Sequence, residues 1–286
     1  MALVTPMRPD GAVDFGSLER LVDWHVEQGT DGLVIAGTTG ESATLTKSEH
    51  VEVVRVAAER ARGRLPVIAG TGSNSTAQTI DLSLAVASLP IDGYLVVVPY
   101  YNKPTQEGLF RHFTAVADAV DRPVMLYNVP GRTVADLLPA TVARLAAHPR
   151  IMGIKEATGD LARAAAVRAS CGSNFALYSG DDATTREFIL QGGQGVVSVT
   201  ANVAPAQMAA MCRAALAGDA PSALALDTPL AGLHQDLFIE SNPIPVKWAL
   251  WRMGMIPDGI RLPLTPLSEA SQARVTDAMA RAQVRR

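Results

Sequence analysis

Residues 151–171, IMGIKEATGDLARAAAVRASC, contain the pattern that decides the fold. The run from Ile151 to Lys155 is short and apolar, which is typical of a buried strand. Gly159 and Asp160 then mark a turn, after which a helix-like segment begins. A buried strand followed at once by a helix is the repeating unit of a parallel α/β sheet.

The same unit recurs along most of the chain. Eight strand-like runs alternate with helix-like segments, and the clearest helix starts after Thr46, because Thr46 and Glu49 have capping-box spacing. The eight runs are Leu3-Val4-Thr5, Gly32 to Ala36, Pro66 to Gly70, Tyr94 to Val98, Pro123 to Tyr127, Ile151 to Lys155, Ala176 to Ser179 and Gly195 to Val199. Apolar strands alternating with helices require a parallel sheet covered by helices, and eight such units favour a closed barrel.

We therefore predict an α/β fold, a (β/α)8 TIM barrel over residues 1–218 that carries the active site. From residue 219 onward the strand signal stops, and prolines punctuate helical segments instead. Residues 219–286 are predicted to form a small C-terminal helical extension.

Composition excludes several classes of protein. The chain has 286 residues with a net charge of −3, and 48% of them are hydrophobic. No apolar run approaches the roughly 18 residues needed to cross a bilayer, and no basic cluster offers a phosphate-binding face. The first ten residues lack a basic n-region. We expect a cytoplasmic protein with no signal peptide, no membrane association and no nucleic-acid partner.

The potential metal ligands are scattered. The five histidines lie mostly on predicted helices without paired ligand spacing. Cys171 and Cys212, far apart in helix-like segments, are expected to be free thiols. The sequence therefore predicts no metal site.

The lysines are few and informative. Only four of the 25 basic residues are lysines. Lys155 ends a strand, where barrels of this kind place their chemistry, and burial there favours a neutral amine that can attack a ketone to form an imine. The alternative is a structural ion pair, although the adjacent Glu156 should point to the opposite face of the strand. Lys47 and Lys247 resemble surface or helix-end residues, and Lys103 lies in a loop.

Polar residues also follow the other strands. Tyr127 could pass protons during imine formation and Thr38 could hydrogen-bond to it, whereas buried tyrosines more often only anchor a core. Gly37-Thr38-Thr39-Gly40 could hold a carboxylate or a phosphate through its backbone N–H groups. Arg132, in a glycine-containing loop, could bind a carboxylate or simply be exposed. Asp181 and Asp182 could bind a cation weakly, but Asp182 is expected to cap the next helix.

Taken in order, these motifs resemble the 4-hydroxy-tetrahydrodipicolinate synthase family, also called dihydrodipicolinate synthase. The resemblance covers nearly the whole chain and rests on residues 37–42 (GTTGES), 70–72 (GTG), 99–102 (PYYN), 127–133 (YNVPGRT), 153–157 (GIKEA), 179–182 (SGDD), 198–202 (SVTAN) and 242–247 (NPIPVK). It implies a Schiff-base lyase of the diaminopimelate route to lysine. This enzyme condenses pyruvate with L-aspartate 4-semialdehyde and needs no cofactor.

The resemblance also implies roles for individual residues. Pyruvate would form an imine with Lys155, while Tyr127, Thr38 and Tyr101 would relay protons, Tyr101 being supplied by the neighbouring subunit. The chain would therefore act as a homodimer or as a homotetramer made of two such dimers. The substrate-binding positions would be Thr39, Gly180 and Val197 for pyruvate and Arg132 for the carboxylate of the semialdehyde.

Other activities stay open. N-acetylneuraminate lyases and 2-keto-3-deoxy sugar acid aldolases share the lysine and the tyrosine, but Thr38, Thr39 and Arg132 favour a small acceptor that carries a carboxylate. A non-catalytic keto-acid sensor would trap pyruvate without consuming the semialdehyde. A metal-dependent lyase would be inactivated by a chelator.

Two features depart from the family pattern. The chain begins a few residues short of where the family's first strand normally starts. The lysine feedback site of regulated members matches at Ser42, Ala43, His50, Asn74 and Tyr100. However, Gln78 stands where those members carry glutamate, and Lys47 where some carry histidine. A neutral amide and an added cation should weaken binding of an ammonium group, so we expect weak or absent inhibition by lysine.

Overall fold

The computed structural model describes residues 1–284, and its centre is a curled sheet of seven parallel strands. Each strand pairs with the next in the chain, in the order β1 to β7. The strands are β1 Leu33–Ile35, β2 Val67–Gly70, β3 Gly93–Val97, β4 Val124–Asn128, β5 Ile151–Glu156, β6 Ala176–Ser179 and β7 Gly195–Val196. They correspond to seven of the eight predicted runs, which confirms the parallel α/β architecture.

Helices connect the strands and cover the sheet. They are α1 Phe15–Glu27, α2 Lys47–Ala61, α3 Thr76–Val86, α4 Gln106–Ala119, α5 Pro130–Thr133, α6 Pro139–Leu145, α7 Leu161–Cys171, α8 Thr185–Leu190 and α9 Pro205–Leu216. The predicted capping box starts α2: Thr46 accepts a hydrogen bond from Glu49 N, and Glu49 Oε2 accepts one from Thr46 N at 2.9 Å. Sequence-local capping therefore sets this helix start.

The predicted strand at Leu3-Val4-Thr5 is replaced by a single bridge one residue earlier. Ala2 pairs in parallel with Val34, and Ala2 N donates to Ser198 O at 2.9 Å. The N-terminal segment thus lies between β1 and the residues after β7, and it joins the two edges of the sheet. A regular strand does not continue because Val4 N donates to the side-chain oxygen of Asn202 instead of to a neighbouring strand.

The last predicted strand is also shorter than expected. It ends at Val196 rather than at Val199, because the backbone N–H groups of Val199 and Thr200 both donate to the Asp182 carboxylate. The chain then turns into a short 3₁₀ helix, Thr200–Asn202.

Two apolar clusters lie on the two faces of the sheet. Leu126 of β4 and Ile154 of β5 belong to the large cluster under the helices. Met125 and Tyr127 belong to a smaller cluster inside the curl, together with Val197. Because strand side chains alternate between faces, Lys155 points inward with Tyr127.

Beyond α9 the described residues form further helices. These are α10 Ala220–Asp227, α11 Ala231–Asp236, α12 Ile244–Arg252 and α13 Glu269–Arg281, with a 3₁₀ turn at Thr228–Leu230. Leu233, Val246 and Val275 are fully buried in the same cluster as the outer face of the sheet. Within residues 1–284, no helix is both long and apolar enough to cross a membrane.

Candidate active site

Lys155 lies at the centre of the site. It is paired in register with Tyr127 of β4 on one side and Tyr178 of β6 on the other, and it is only 6% exposed. Its Nζ lies 4.1 Å from the centre of the Tyr127 ring. A cation over an aromatic face is stabilised electrostatically, and the same contact brings the amine beside a phenol. The sequence-based expectation that these two residues are neighbours is confirmed.

Glu156 faces away from this amine, as the strand alternation predicts. It is buried, and its carboxylate accepts hydrogen bonds from Asn128 Nδ2 at 3.1 Å and from Thr158 N at 3.0 Å. Burial raises the pKa of Glu156 despite these bonds. Among the ion pairs of residues 1–284, the lysine partners are Lys47 with Asp81 and Lys247 with Glu41. Lys155 belongs to none of the ion pairs in this part of the chain.

Lys247 is not the surface or helix-end residue that we expected from the sequence. Its side chain is 4% exposed and pairs with Glu41, whose side chain is fully buried. Burial lowers the pKa of Lys247, and the Glu41 carboxylate opposes this effect. Glu41 itself has a φ of +56°, and its second oxygen accepts a hydrogen bond from Arg261 N. This buried pair ties the loop after β1 to α12.

The two threonines of that loop have different surroundings. Thr39 is buried, and its Oγ1 accepts a hydrogen bond from Asn242 Nδ2 at 2.9 Å. Thr38 lines a cavity of about 30 Å³ that Tyr127 and Ser42 also line. That volume holds one or two water molecules. Thr38 and Tyr127 are thus brought to one cavity.

Gly180 and Val197 follow the neighbouring strands, and hydrogen bonds hold their backbones. Gly180 N donates to Glu156 O at 2.7 Å, and Val197 N donates to Ser179 O at 2.8 Å. A Cβ at Gly180 would lie only 2.9 Å from Lys155 Cε. Glycine is therefore needed for the lysine stem to pass.

Asp182 does not cap the following helix, which corrects the prediction. α8 starts after Thr184, and Thr184 N donates to Asp181 Oδ2 at 3.0 Å. Asp182 is buried and instead binds the backbone of Val199 and Thr200. The sequence showed two adjacent aspartates but not which one reaches across to the next strand end.

Arg132 lies in the four-residue helix α5 rather than in a loop. Its Nη2 donates to the backbone oxygen of Asn242 at 3.3 Å. The residue is exposed, and this one bond leaves further N–H groups of its guanidinium for a ligand.

Tyr101 lies apart from the other predicted relay residues. It is 87% exposed and has a φ of +75°, a backbone conformation that is costly for a residue other than glycine. The adjacent Tyr100 is 38% exposed. Within one chain the structure therefore brings together Lys155, Tyr127 and Thr38 but not Tyr101.

Most residues of the expected lysine-binding set lie near the start of α2 and α3, and Tyr100 lies in the segment after β3. His50 Nε2 is 2.8 Å from Gly70 O, and Asn74 O accepts a hydrogen bond from Asn102 Nδ2. Gln78 accepts one from the Ser73 hydroxyl at 3.0 Å. Ser42 and Ala43 form a 3₁₀ turn, and the cavity that Ser42 lines also contacts Thr38. The two predicted sites are therefore adjacent.

Two residues at this site were not predicted from the sequence to be part of it. Asn242 and Lys247 belong to a quoted motif, but neither periodicity nor strand-end position indicates where they lie, because both follow the sheet by many residues. The scarcity of lysine was the one available signal for Lys247. Across residues 1–284, no group of three or more His, Cys, Asp or Glu side chains is arranged to hold a metal ion.

Comparisons with known proteins cover nearly the whole length of the chain. Residues 1–282 match the Dihydrodipicolinate synthetase family. A 4-hydroxy-tetrahydrodipicolinate synthase of Methylococcus capsulatus is 61% identical over 284 residues, which cover 99% of this chain and 98% of that protein. The crystal structure of the chloride inhibited dihydrodipicolinate synthase from Acinetobacter baumannii complexed with pyruvate is 52% identical, with a TM-score of 0.98 and coverage of 99% and 97%. A monomeric dihydrodipicolinate synthase variant is 40% identical, with a TM-score of 0.96 and coverage of 99% and 95%.

Proposed function

Because the chain belongs to the dihydrodipicolinate synthetase family, we propose that it catalyses the condensation of pyruvate with L-aspartate 4-semialdehyde. The observation that carries this proposal is the buried Lys155 amine over the Tyr127 ring at the carboxyl ends of β4 and β5. The name of the relative that is 61% identical supports the same activity. The enzyme is a lyase that works through a Schiff base.

In the proposed reaction, Lys155 Nζ adds to the ketone carbon of pyruvate, and loss of water forms an imine. Removal of a methyl proton converts the imine to an enamine, whose carbon attacks the aldehyde of the second substrate. The amino group of that substrate then displaces Lys155 from the imine carbon. This last step closes the ring and regenerates the free amine.

Proton transfers in these steps are assigned to Tyr127, Thr38 and Tyr101. The cavity shared by Tyr127 and Thr38 supports a path between the two hydroxyls, either direct or through a water molecule. The solvated phenol of Tyr101 would enter from the neighbouring subunit. Its 87% exposure within one chain supports this assignment.

The two substrate carboxylates are assigned to different groups. The carboxylate of pyruvate would be held by Thr39 and by the backbone at Gly180 and Val197, close to the Lys155 amine. The semialdehyde carboxylate would meet the Arg132 guanidinium, which suits a bidentate anion.

We propose that the active form is a homotetramer made of two tight dimers, with Tyr101 at the tight interface. The monomeric variant that is 40% identical means that the family alone does not determine assembly. Mixing Lys155→Ala subunits with Tyr101→Phe subunits tests the site shared across the tight interface, because such a site would regain activity in mixed dimers. If the mixture were no more active than the average of the two separate variants, the shared site would be contradicted.

The finer architecture is part of this proposal. The hydrogen bonds of residues 2 and 3 to Val34 and Ser198 support a closed (β/α)8 barrel over residues 1–218. Helices α10 to α13 support the predicted helical extension of residues 219–286 as far as residue 284, and its last two residues lie outside the described part of the chain. Cytoplasmic residence and the absence of a cofactor requirement stay predictions.

Sodium borohydride reduction with pyruvate, followed by peptide mass mapping, tests the mechanism. We expect one modified peptide that contains Lys155, no adduct in Lys155→Ala, and an unchanged adduct in the control Lys103→Arg. A coupled assay should then show consumption of aspartate semialdehyde and no cleavage of N-acetylneuraminate. Trapping of pyruvate without semialdehyde consumption would indicate a keto-acid sensor, and neuraminate cleavage would indicate the sister activity.

A further inference from the structure

Asn242 contacts two groups of the site at once. It is 6% exposed and lies just before α12. Its side-chain Nδ2 donates to Thr39 Oγ1 at 2.9 Å, and its backbone oxygen accepts from Arg132 Nη2 at 3.3 Å. Building on the proposed function, we propose that the Asn242 side chain is a positioning residue that orients the Thr39 hydroxyl toward the carboxylate of pyruvate.

The direction of the hydrogen bond carries the argument. A threonine hydroxyl has one hydrogen and can accept through its lone pairs. Because Asn242 Nδ2 donates to Thr39 Oγ1, the hydroxyl hydrogen is left free to donate elsewhere. An anionic substrate carboxylate requires such a donor, and an ionic acceptor makes the bond stronger.

The surroundings of the amide favour this orientation over the flipped one. Asn242 Oδ1 is buried and has no hydrogen-bond partner in the described part of the chain. Exchanging the amide oxygen and nitrogen would make Thr39 the donor and would bury two N–H groups at the position of Oδ1. Two unpaired donors cost more than one unpaired acceptor, so the donating orientation is preferred.

The backbone next to Asn242 is held independently of its side chain. Lys247 N donates to Pro243 O at 3.0 Å, and the Lys247 ammonium pairs with Glu41 in the same loop as Thr39. Shortening the Asn242 side chain therefore leaves the backbone oxygen in place for Arg132. The Asn242 side chain therefore acts on Thr39, where pyruvate would bind, and the Asn242 backbone oxygen acts on Arg132, where the semialdehyde carboxylate would bind.

This division predicts a substrate-specific effect. Asn242→Ala should raise the pyruvate KM about 5–10-fold, the range expected for one neutral hydrogen bond, while the semialdehyde KM changes less than about twofold. The isosteric Asn242→Asp should have a larger effect, because its carboxylate would accept the Thr39 hydrogen and repel the anionic substrate. The neighbouring exposed Ser241→Ala is the matched control and should keep both KM values.

A double variant separates positioning from structural support. Thr39→Val should raise the pyruvate KM, and adding Asn242→Ala to it should cause little further change, because Asn242 acts through that hydroxyl. The proposal is overturned if Asn242→Ala costs as much in the Thr39→Val background as in the wild type. It is also overturned if both KM values rise equally together with a lower thermal midpoint.

Borohydride trapping without the second substrate distinguishes this proposal from the proposed function. If wild-type protein traps pyruvate on Lys155 and Asn242→Ala needs the same pyruvate concentration, the positioning role fails and the proposed function stands. If wild-type protein traps no pyruvate, both fail. Trapping that needs about 5–10 times more pyruvate in Asn242→Ala supports the positioning role, whatever the semialdehyde assay shows.

Discussion

The Lys155 Nζ and the Tyr127 ring face each other at 4.1 Å, on neighbouring strands whose residues pair directly. The aromatic ring packs against the lysine side chain, whereas in the proposed mechanism the tyrosine hydroxyl transfers protons to and from the reaction intermediates. The proposal thus gives one side chain both a packing role and a chemical role, and substitution can separate them.

Tyr127→Phe should lower kcat by about 100-fold or more while leaving pyruvate binding nearly unchanged. The ring stays in place beside Lys155, but the proton-transferring hydroxyl is lost. Steady-state kinetics and borohydride trapping measure the two quantities separately. Loss of trapping together with kcat would show that the hydroxyl is needed to bind pyruvate rather than to transfer protons.

Gly180→Ala should displace the Lys155 stem. The added Cβ would lie 2.9 Å from Lys155 Cε and 2.5 Å from Ala157 Cβ, so the surroundings must shift at a cost of about 1–3 kcal/mol. We expect at least about tenfold slower pyruvate trapping and a lower thermal midpoint. Gly108→Ala in α4 is the control, because its added Cβ meets nothing nearer than 3.4 Å and alanine favours the helix. Normal trapping by Gly180→Ala would refute this steric account.

Lys247→Met should destabilise the protein by about 3–5 kcal/mol, because it leaves the Glu41 carboxylate buried without a partner. Adding Glu41→Gln removes that charge and should recover most of the loss. Urea unfolding of the wild type, both single variants and the double variant gives the coupling energy. Additive losses in the double variant would show that the two charges do not depend on each other.

Lysine should inhibit the wild-type enzyme weakly or not at all. Gln78 supplies no negative charge for an ammonium group, and this change carries the prediction, because Asp81 pairs with Lys47 and offsets the repulsion that its cation would add. Gln78→Glu should lower the half-inhibitory lysine concentration about fivefold, in line with about 1 kcal/mol for a solvent-exposed charge pair at 4 Å. Inhibition assays at saturating pyruvate measure this change. A low-micromolar inhibition constant in the wild type would contradict the prediction.

His112 should make the protein sensitive to mild acid. Burial lowers the pKa of His112 from 6.5 to about 4. Between these values the unfolded chain binds a proton that the folded chain does not, so stability is complete above pH 6.5 and falls as pH drops toward 4. At pH 5 the loss amounts to about 2 kcal/mol. Urea unfolding measures the free energy of unfolding at pH 7.5 and at pH 5. The drop between these two pH values should be smaller in His112→Gln than in the wild type. Equal drops would rule out His112 as the cause.

Much of this fold follows from local patterns in the sequence. Apolar runs between turn residues identify the strands, and the Thr46 cap identifies the start of α2, because both depend on neighbouring residues. The meeting of Tyr127 with Lys155 also follows, since the strands that carry them are consecutive and parallel. The order of the strands along the chain is therefore enough to predict that Tyr127 and Lys155 are neighbours.

The long-range contacts could not be predicted in this way. Lys247 and Glu41 are 206 residues apart, and no periodicity connects them. Asn202 draws the Val4 N–H out of a strand ladder, and Asp182 does the same to Val199. The apolar pattern alone would extend both strands. The strands end because these two side chains bind the backbone N–H groups, and only the folded structure shows these contacts.

The link between the N-terminal segment and the residues after β7 has a consequence for folding during synthesis. Ala2 shares a hydrogen bond with Asn202, 200 residues later in the chain. At a translation rate of about 5–20 residues per second, Ala2 waits about 10–40 s before that partner leaves the ribosome. Contacts of such long sequence separation slow folding, so the sheet edges are joined last and β1 stays an open edge on the nascent chain.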